Sequence, residues 1–154
     1  MNIEIARLHE AELSQLEEIE RLTHLTFWGW ESYSALTVDD NFIYTRVARV
    51  AQDGVRPVAG FIIARFVEGE AEVMKIGVHP RFQKAGIGGR LLDAAMAEAA
   101  ARGCMYCYLE VRKSNGAAIQ FYKNRRFDLC GFRKNYYASP LEDAFVMRRR
   151  LLTS

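Results

Sequence analysis

The sequence predicts one α+β domain with the element order ααβββαβαββ, and three observations point to it. Apolar residues recur at helical spacing in two long segments, and β-rich runs bounded by turn formers fill the stretches between them. No linker, repeat or low-complexity stretch divides the 154 residues, which suit a single core running from residue 1 to residue 154.

The first helix is expected from residue 10 to about residue 27, where Leu13, Leu16, Ile19, Leu22 and Leu25 trace one apolar stripe and Glu12, Glu17, Glu18 and Glu20 take mostly solvated positions. Phe27-Trp28-Gly29-Trp30 interrupts it, and residues 31–36 read as a short second helix. Residues 41–51 and 58–67 are β-rich and joined by a segment holding Asp53-Gly54 and Pro57, which predicts a hairpin. A third strand over residues 71–78 extends this to an antiparallel meander, and Pro80 ends it. Residues 86–102 carry Leu91, Leu92, Ala95, Met96 and Ala99 at helical spacing and stop at Gly103, a natural residue beyond a helix end. A strand over residues 104–111, a helix capped by Ser114-Asn115 and running to about residue 125, and two strands near 127–134 and 144–151 complete the order.

Composition excludes several classes of function. Lys and Arg number 21 against 19 Asp and Glu, too even a balance for binding nucleic acid by phosphate neutralisation. Arg148-Arg149-Arg150 reads as the solvated end of a strand. No apolar run reaches the ~18 residues of a membrane span, and the first ten residues lack a signal peptide's apolar block. A cytoplasmic protein without membrane contact is expected. Three cysteines suit a reducing compartment. Cys104 and Cys107 fall in a strand-like run, where residues three apart stand roughly 10 Å apart on opposite faces, so no local disulfide is expected, and no metal site is expected because Cys130, His9, His24 and His79 offer no second closely spaced pair of ligands.

The segment Gln83-Lys84-Ala85-Gly86-Ile87-Gly88-Gly89 lies between a strand and the strongest helix, so backbone N–H groups can converge there on an anion. The helix dipole, Lys84 and Arg90 add positive potential suited to a diphosphate. Neither a Walker loop nor a dinucleotide fingerprint is present. The run Val78-x-Pro80-x-x-Gln83-x-x-Gly86-x-Gly88 resembles the coenzyme A signature of the GNAT superfamily of N-acetyltransferases. The resemblance implies a mixed, mainly antiparallel sheet of six to seven strands flanked by about four helices. It also implies acetyl-CoA as acetyl donor, with its pantetheine arm beside Ile76, Gly77 and Val78 and its diphosphate on the amides of Lys84 through Gly89.

A second set of residues, Leu109-Glu110-Val111-Arg112-x-Ser114-Asn115-x-x-Ala118-Ile119-x-x-Tyr122, with Arg133-Lys134-Asn135-Tyr136-Tyr137 and Glu142-Asp143-Ala144-x-x-Met147 after it, is similar to the RimI-type ribosomal-protein N-terminal alanine acetyltransferases. Direct amide formation needs an uncharged amine, a polarised thioester and a proton for the departing thiolate. Glu110 is the candidate base, and the resemblance makes Tyr122 the proton donor and assigns Asn115 to the pantetheine amides. Glu70 and Glu72 compete for the base role, Glu72 more strongly. From the residues alone, Glu110 could equally be an edge-strand charge, Tyr122 a core aromatic and Asn115 a helix cap.

The same resemblance places the acceptor, a protein or peptide N-terminus beginning with alanine or serine, such as that of a ribosomal protein, between the first connection at Trp28 and a late hairpin bearing Tyr136 and Tyr137. A monomer or weak dimer is expected. A small-molecule amine or a lysine side chain is the alternative acceptor, and a coenzyme A sensor without turnover the alternative of another class. Three departures from the family stand out: Phe27-Trp28-Gly29-Trp30 in place of Phe-Pro-Trp, Ala85 in place of a basic residue, and Arg125-Arg126-Phe127 in place of Leu-Gly-Phe.

Overall fold

The computed structural model describes residues 2–151 apart from 24, 26, 27 and 38–40, and only the backbone of 29–31. Phe27 and the Trp30 side chain of the first connection thus lie outside what is described. Among the described residues seven strands form one sheet: β1 (Ile3–Ala6), β2 (Ile43–Val50), β3 (Val58–Val67), β4 (Glu70–Val78), β5 (Tyr106–Arg112), β6 (Asp128–Ala138) and β7 (Leu141–Arg150), in the spatial order β1-β2-β3-β4-β5-β7-β6. Helices α1 (Leu13–Leu22), α2 (Gly29–Ala35), α3 (Ile87–Ala101) and α4 (Gly116–Lys123) flank it. No helix among these residues is long and apolar enough to cross a membrane.

The mixed, mainly antiparallel sheet agrees with the expected fold, but the order opens with a strand the sequence reading did not place. Ile3 and Ile5 alternate with Glu4, a pattern too short to stand out, and β1 is held by its antiparallel pairing with Ala48 to Val50 of β2. The first helix also ends earlier than expected, at Leu22.

Two cores lie on opposite faces of the sheet. Leu13, Leu16 and Ile19 of α1 pack with Val47, Phe61 and Ile63, whereas Ile87, Leu91, Leu92 and Ala95 of α3 pack with Ile62, Ala71, Val73 and Leu109. Ile87, Leu91 and Leu92 are 0–1% exposed, a degree of burial that contributes about 1.5–3 kcal/mol per large aliphatic side chain.

Three expectations need correction. Glu12 and Glu20 are buried, because each has a cation from the sheet to pair with: Arg49 lies 2.6 Å from Glu12 and Lys75 lies 2.6 Å from Glu20. Cys104 and Cys107 are not on opposite faces of a strand. The chain is still leaving α3 at Cys104, whose amide donates to Ala99, so both thiols enter the same core cluster, unbonded.

One irregularity prepares the site. The β3–β4 register shifts between Ile63↔Lys75 and Ala64↔Val73, which leaves Met74 as an extra residue in β4. A bulge of this kind inverts the side-chain alternation, so Glu72 and Lys75 face the same side of the sheet although they stand three apart.

Candidate active site

Strands β4 and β5 run parallel and pair only over Glu70–Tyr106, Ala71–Cys107 and Glu72–Tyr108. Beyond Glu72 they part, and Ile76, Gly77 and Val78 pair with β3 alone, through Ile62, Phe61 and Gly60. Their other edge faces the opening and pairs with no strand, so backbone amide and carbonyl groups line its wall. The opening is flanked closely from both sides. A Cβ on Gly60 would stand 3.2 Å from Ile87 and Leu91 of α3, and one on Gly77 would stand 2.9 Å from Leu25 and 3.1 Å from Ile19. Only residues without side chains let helices on both faces close in at this point.

At the end of β4 the chain turns through Pro80–Phe82 into α3. Gly86 takes φ +79° at the helix cap, and nothing lies within 4 Å of where its side chain would be. The amides of Ile87, Gly88 and Gly89 open α3 without helical acceptors, and Lys84 and Arg90 are exposed beside them. These residues fit a diphosphate: open space, converging donors and positive charge. Gln83 donates its side-chain amide to the Val78 carbonyl at 3.2 Å, bracing the turn, and the neighbouring Ala85 is half-buried. The guanidinium of Arg125 lies against Gly89, held by Asp93 at 2.9 Å. Arg126 adopts φ +70°, taking without a glycine the left-handed position that ends α4.

Glu110 projects from β5 on the face opposite Leu109 and Val111, with Oε1 3.1 Å from Arg133 Nε and its side chain 16% exposed. Glu72 lies on the same face, 35% exposed and 2.7 Å from Arg65. Tyr136 and Tyr137 stand over this region with ring centres 5.1 Å apart and ring planes perpendicular. Burial pushes the Tyr137 hydroxyl up to about 12, reinforced by Tyr136 and Glu110, and burial with the charge of Glu110 also raises Tyr136.

The structure thus brings Glu110, Tyr136 and Tyr137 together. Tyr122 lies on the α3 side, in contact with Phe121 and Phe127, where burial raises its hydroxyl well above the ordinary tyrosine range. After burial, Cys107 and then Tyr137 add to that rise. Asn115 accepts the Ala118 amide at 3.1 Å and caps α4. Trp28 follows α1, its backbone amide 3.1 Å from Glu20 and its ring centre 5.9 Å from that of Tyr33.

The sequence reading missed the brace that holds the β6–β7 hairpin. Arg112 donates to the carbonyls of Pro140 at 2.9 Å and Ser139 at 3.2 Å and to Glu142 at 3.2 Å, and its guanidinium covers the Tyr137 ring at 4.2 Å. Glu142 in turn accepts the Ser114 amide at 2.7 Å, tying the hairpin to the start of α4. Arg112 stands two residues after Glu110, a period-2 signal that could have marked both as facing one side.

Comparisons with known proteins agree with this geometry. A family model described as "Acetyltransferase (GNAT) family" matches residues 5–127. The chain is 33% identical to the ribosomal protein bS18-alanine N-acetyltransferase of Salmonella typhimurium over 145 residues, 93% of this chain and 94% of that protein. It is 45% identical to the N-alpha-acetyltransferase RimI of Mycobacterium tuberculosis over 80 residues, 52% of this chain and 49% of that protein. The crystal structure of the ribosomal-protein-S18-alanine N-acetyltransferase from Escherichia coli superimposes with a TM-score of 0.84 at 29% identity, covering 99% of this chain and 96% of that one.

Proposed function

The chain belongs to the GNAT family of acetyltransferases, and from that premise we propose that it moves the acetyl group of acetyl-CoA to the α-amino group of a protein beginning with alanine or serine. A ribosomal protein of the bS18 kind is the first candidate acceptor. One observation carries the reading: a half-buried carboxylate, Glu110, lies beside the parting of β4 and β5 and beneath Tyr136 and Tyr137 of the hairpin.

The acetyl donor supplies an activated thioester; the chain's own residues do the rest. The amides of Lys84 through Gly89 hold the diphosphate, with Lys84 and Arg90 adding charge. The free edge of Ile76, Gly77 and Val78 lays the pantetheine arm in the opening, and Asn115 closes it from the start of α4. Glu110 takes the proton from the acceptor amine, directly or through water. An α-amine loses that proton near pH 7.7–8.0 against about 10.4 for lysine, roughly 3.5 kcal/mol easier. Glu110 is favoured over Glu72 by its lower exposure, 16% against 35%, and by its place beyond the last β4–β5 pair. Tyr122 is protonated at neutral pH, as an ordinary tyrosine is, and burial raises it further. The freed amine nitrogen bonds to the acetyl carbonyl as the C–S bond breaks, Tyr122 gives its proton to the departing thiolate, and the proton taken by Glu110 returns through water to restore the tyrosine. Trp28, Tyr136 and Tyr137 border the first residues of the acceptor.

The test is an acetylation assay with acetyl-CoA and four acceptor sets: peptides beginning with alanine, peptides beginning with serine, N-terminally blocked peptides containing lysine, and free polyamines. Thiol release with the first two sets is the expected result. Turnover confined to blocked peptides or polyamines overturns the acceptor class and leaves the acetyltransferase family intact.

A further inference from the structure

One buried cluster has no part in the chemistry above. The side chains of Lys75 and Glu20 are 3% and 2% exposed, with Lys75 Nζ 2.6 Å from Glu20 Oε2. That carboxylate oxygen also accepts the Trp28 amide at 3.1 Å and the Tyr33 hydroxyl. Lys75 Nζ donates to Tyr33 Oη at 3.0 Å and stands 4.2 Å from the centre of the Trp28 ring. Four parts of the chain meet at this oxygen and its cation: α1 through Glu20, the first connection through Trp28, α2 through Tyr33 and β4 through Lys75.

Stability is a poor reason for such a cluster. Removing two charges from water costs several kcal/mol per ion, and a well-packed apolar pair of the same volume is often as stable or more so. Burial lowers Lys75 below the ordinary lysine range while Glu20 acts in the other direction, so the cluster is held against its own desolvation. What an apolar pair cannot do is accept a backbone amide and a hydroxyl at one point and anchor both to a strand. The strand is the one whose next residues, Ile76 to Val78, border the opening between β4 and β5.

We propose that Lys75 is a positioning residue for the acceptor: acting through Glu20, it fixes Trp28 and Tyr33 so that these two side chains form one wall of the acceptor groove. This rests on the acceptor reading above. The lysine does not touch the reacting atoms. Its side chain sets the acceptor wall while the backbone just after it lines the donor side.

The test compares Lys75→Met with the charge-free pair Glu20→Gln/Lys75→Met, which leaves no unpaired buried charge. Folding is followed by circular dichroism and kinetics by peptide acetylation. In Lys75→Met the KM for the acceptor peptide rises about tenfold, while kcat and the KM for acetyl-CoA stay within about twofold. In the pair the acceptor KM rises about threefold, because the glutamine oxygen still receives Trp28 and Tyr33 but has lost its anchor on β4. A folded variant with wild-type acceptor KM overturns the proposal. So does an equal rise in both KM values, or loss of folding in both variants, which makes the cluster a stability element. If the wild-type protein acetylates no peptide, the acceptor reading fails separately. The clamp is then read from indole emission in a Trp30→Phe background, and an emission spectrum unmoved by Lys75→Met overturns it.

Discussion

The donor side and the acceptor side proposed for this site are built by different means. On the proposed donor side the groups are backbone amides and carbonyls supplied by a continuous stretch, β4, the turn and the first turn of α3. Their geometry follows from local conformation, a left-handed glycine at 86 and a helix start, so one segment carries it. On the proposed acceptor side the groups are side chains from α1, the first connection, α2, β4, β5 and the β6–β7 hairpin, each oriented by a partner outside its own element. Glu110 depends on Arg133, Tyr137 on Arg112, and Trp28 on Glu20. A site made of backbone tolerates change in its surroundings, whereas one made of cross-braced side chains is tuned by residues that never meet the substrate.

The largest expected effect lies where the two sides meet. Glu110→Gln should lower kcat about 100-fold or more, because it removes the proposed base while keeping the shape. Glu72→Gln should change kcat by less than about threefold, since its carboxylate already serves Arg65. Stopped assays on both variants decide between them, and the reverse pattern moves the base to β4.

Next in size is a change confined to the donor side. Gly86→Val places a branched side chain at φ +79°, a strain of roughly 1–2 kcal/mol that should raise the KM for acetyl-CoA about tenfold. The acceptor KM should not move. A parallel rise in both would show that the two sides are less independent than their construction suggests.

On the acceptor side the hairpin brace gives a smaller effect. Glu142→Gln loosens the contacts to Ser114 and Arg112, and the acceptor KM should rise about threefold with acetyl-CoA binding unchanged. The Ser114 hydrogen bonds, followed by Arg112, hold the Glu142 carboxyl below the usual carboxylate range. A group depressed in this way contributes while ionised and loses its contribution as pH falls through its folded pKa. Acid should therefore weaken the brace in the wild type, and the glutamine variant should lack that dependence.

The smallest effect is alkaline. Tyr137 is raised from 10.0 to about 12, first by burial and then by Tyr136 and Glu110. The unfolded chain releases that proton earlier, so the contribution to stability is complete below pH 10 and declines as pH rises toward 12. Denaturant unfolding at stepped alkaline pH should show the decline, and Tyr137→Phe should make it shallower.

Much of this was legible in the residues. The apolar stripes of α1 and α3, the hairpin around Asp53-Gly54, the cap at Asn115 and the glycine turn that opens α3 all follow from short-range spacing and turn chemistry. Glu110 and Tyr122 were named by motif, but the face of β5 from which Glu110 projects and the burial of Tyr122 in the α3-side core were not. Glu20 was misread as a solvated charge because its position on α1 says nothing of Lys75, 55 residues away.

The sequence by itself determined the order of elements after β1, the family, and the backbone that would grip a diphosphate, because each depends on neighbours within a few residues. Only the tertiary structure decided which charges are buried, where β4 leaves β5, and which distant side chains brace the acceptor wall. Burial and pairing depend on which surfaces meet when the chain closes, and no local periodicity records that.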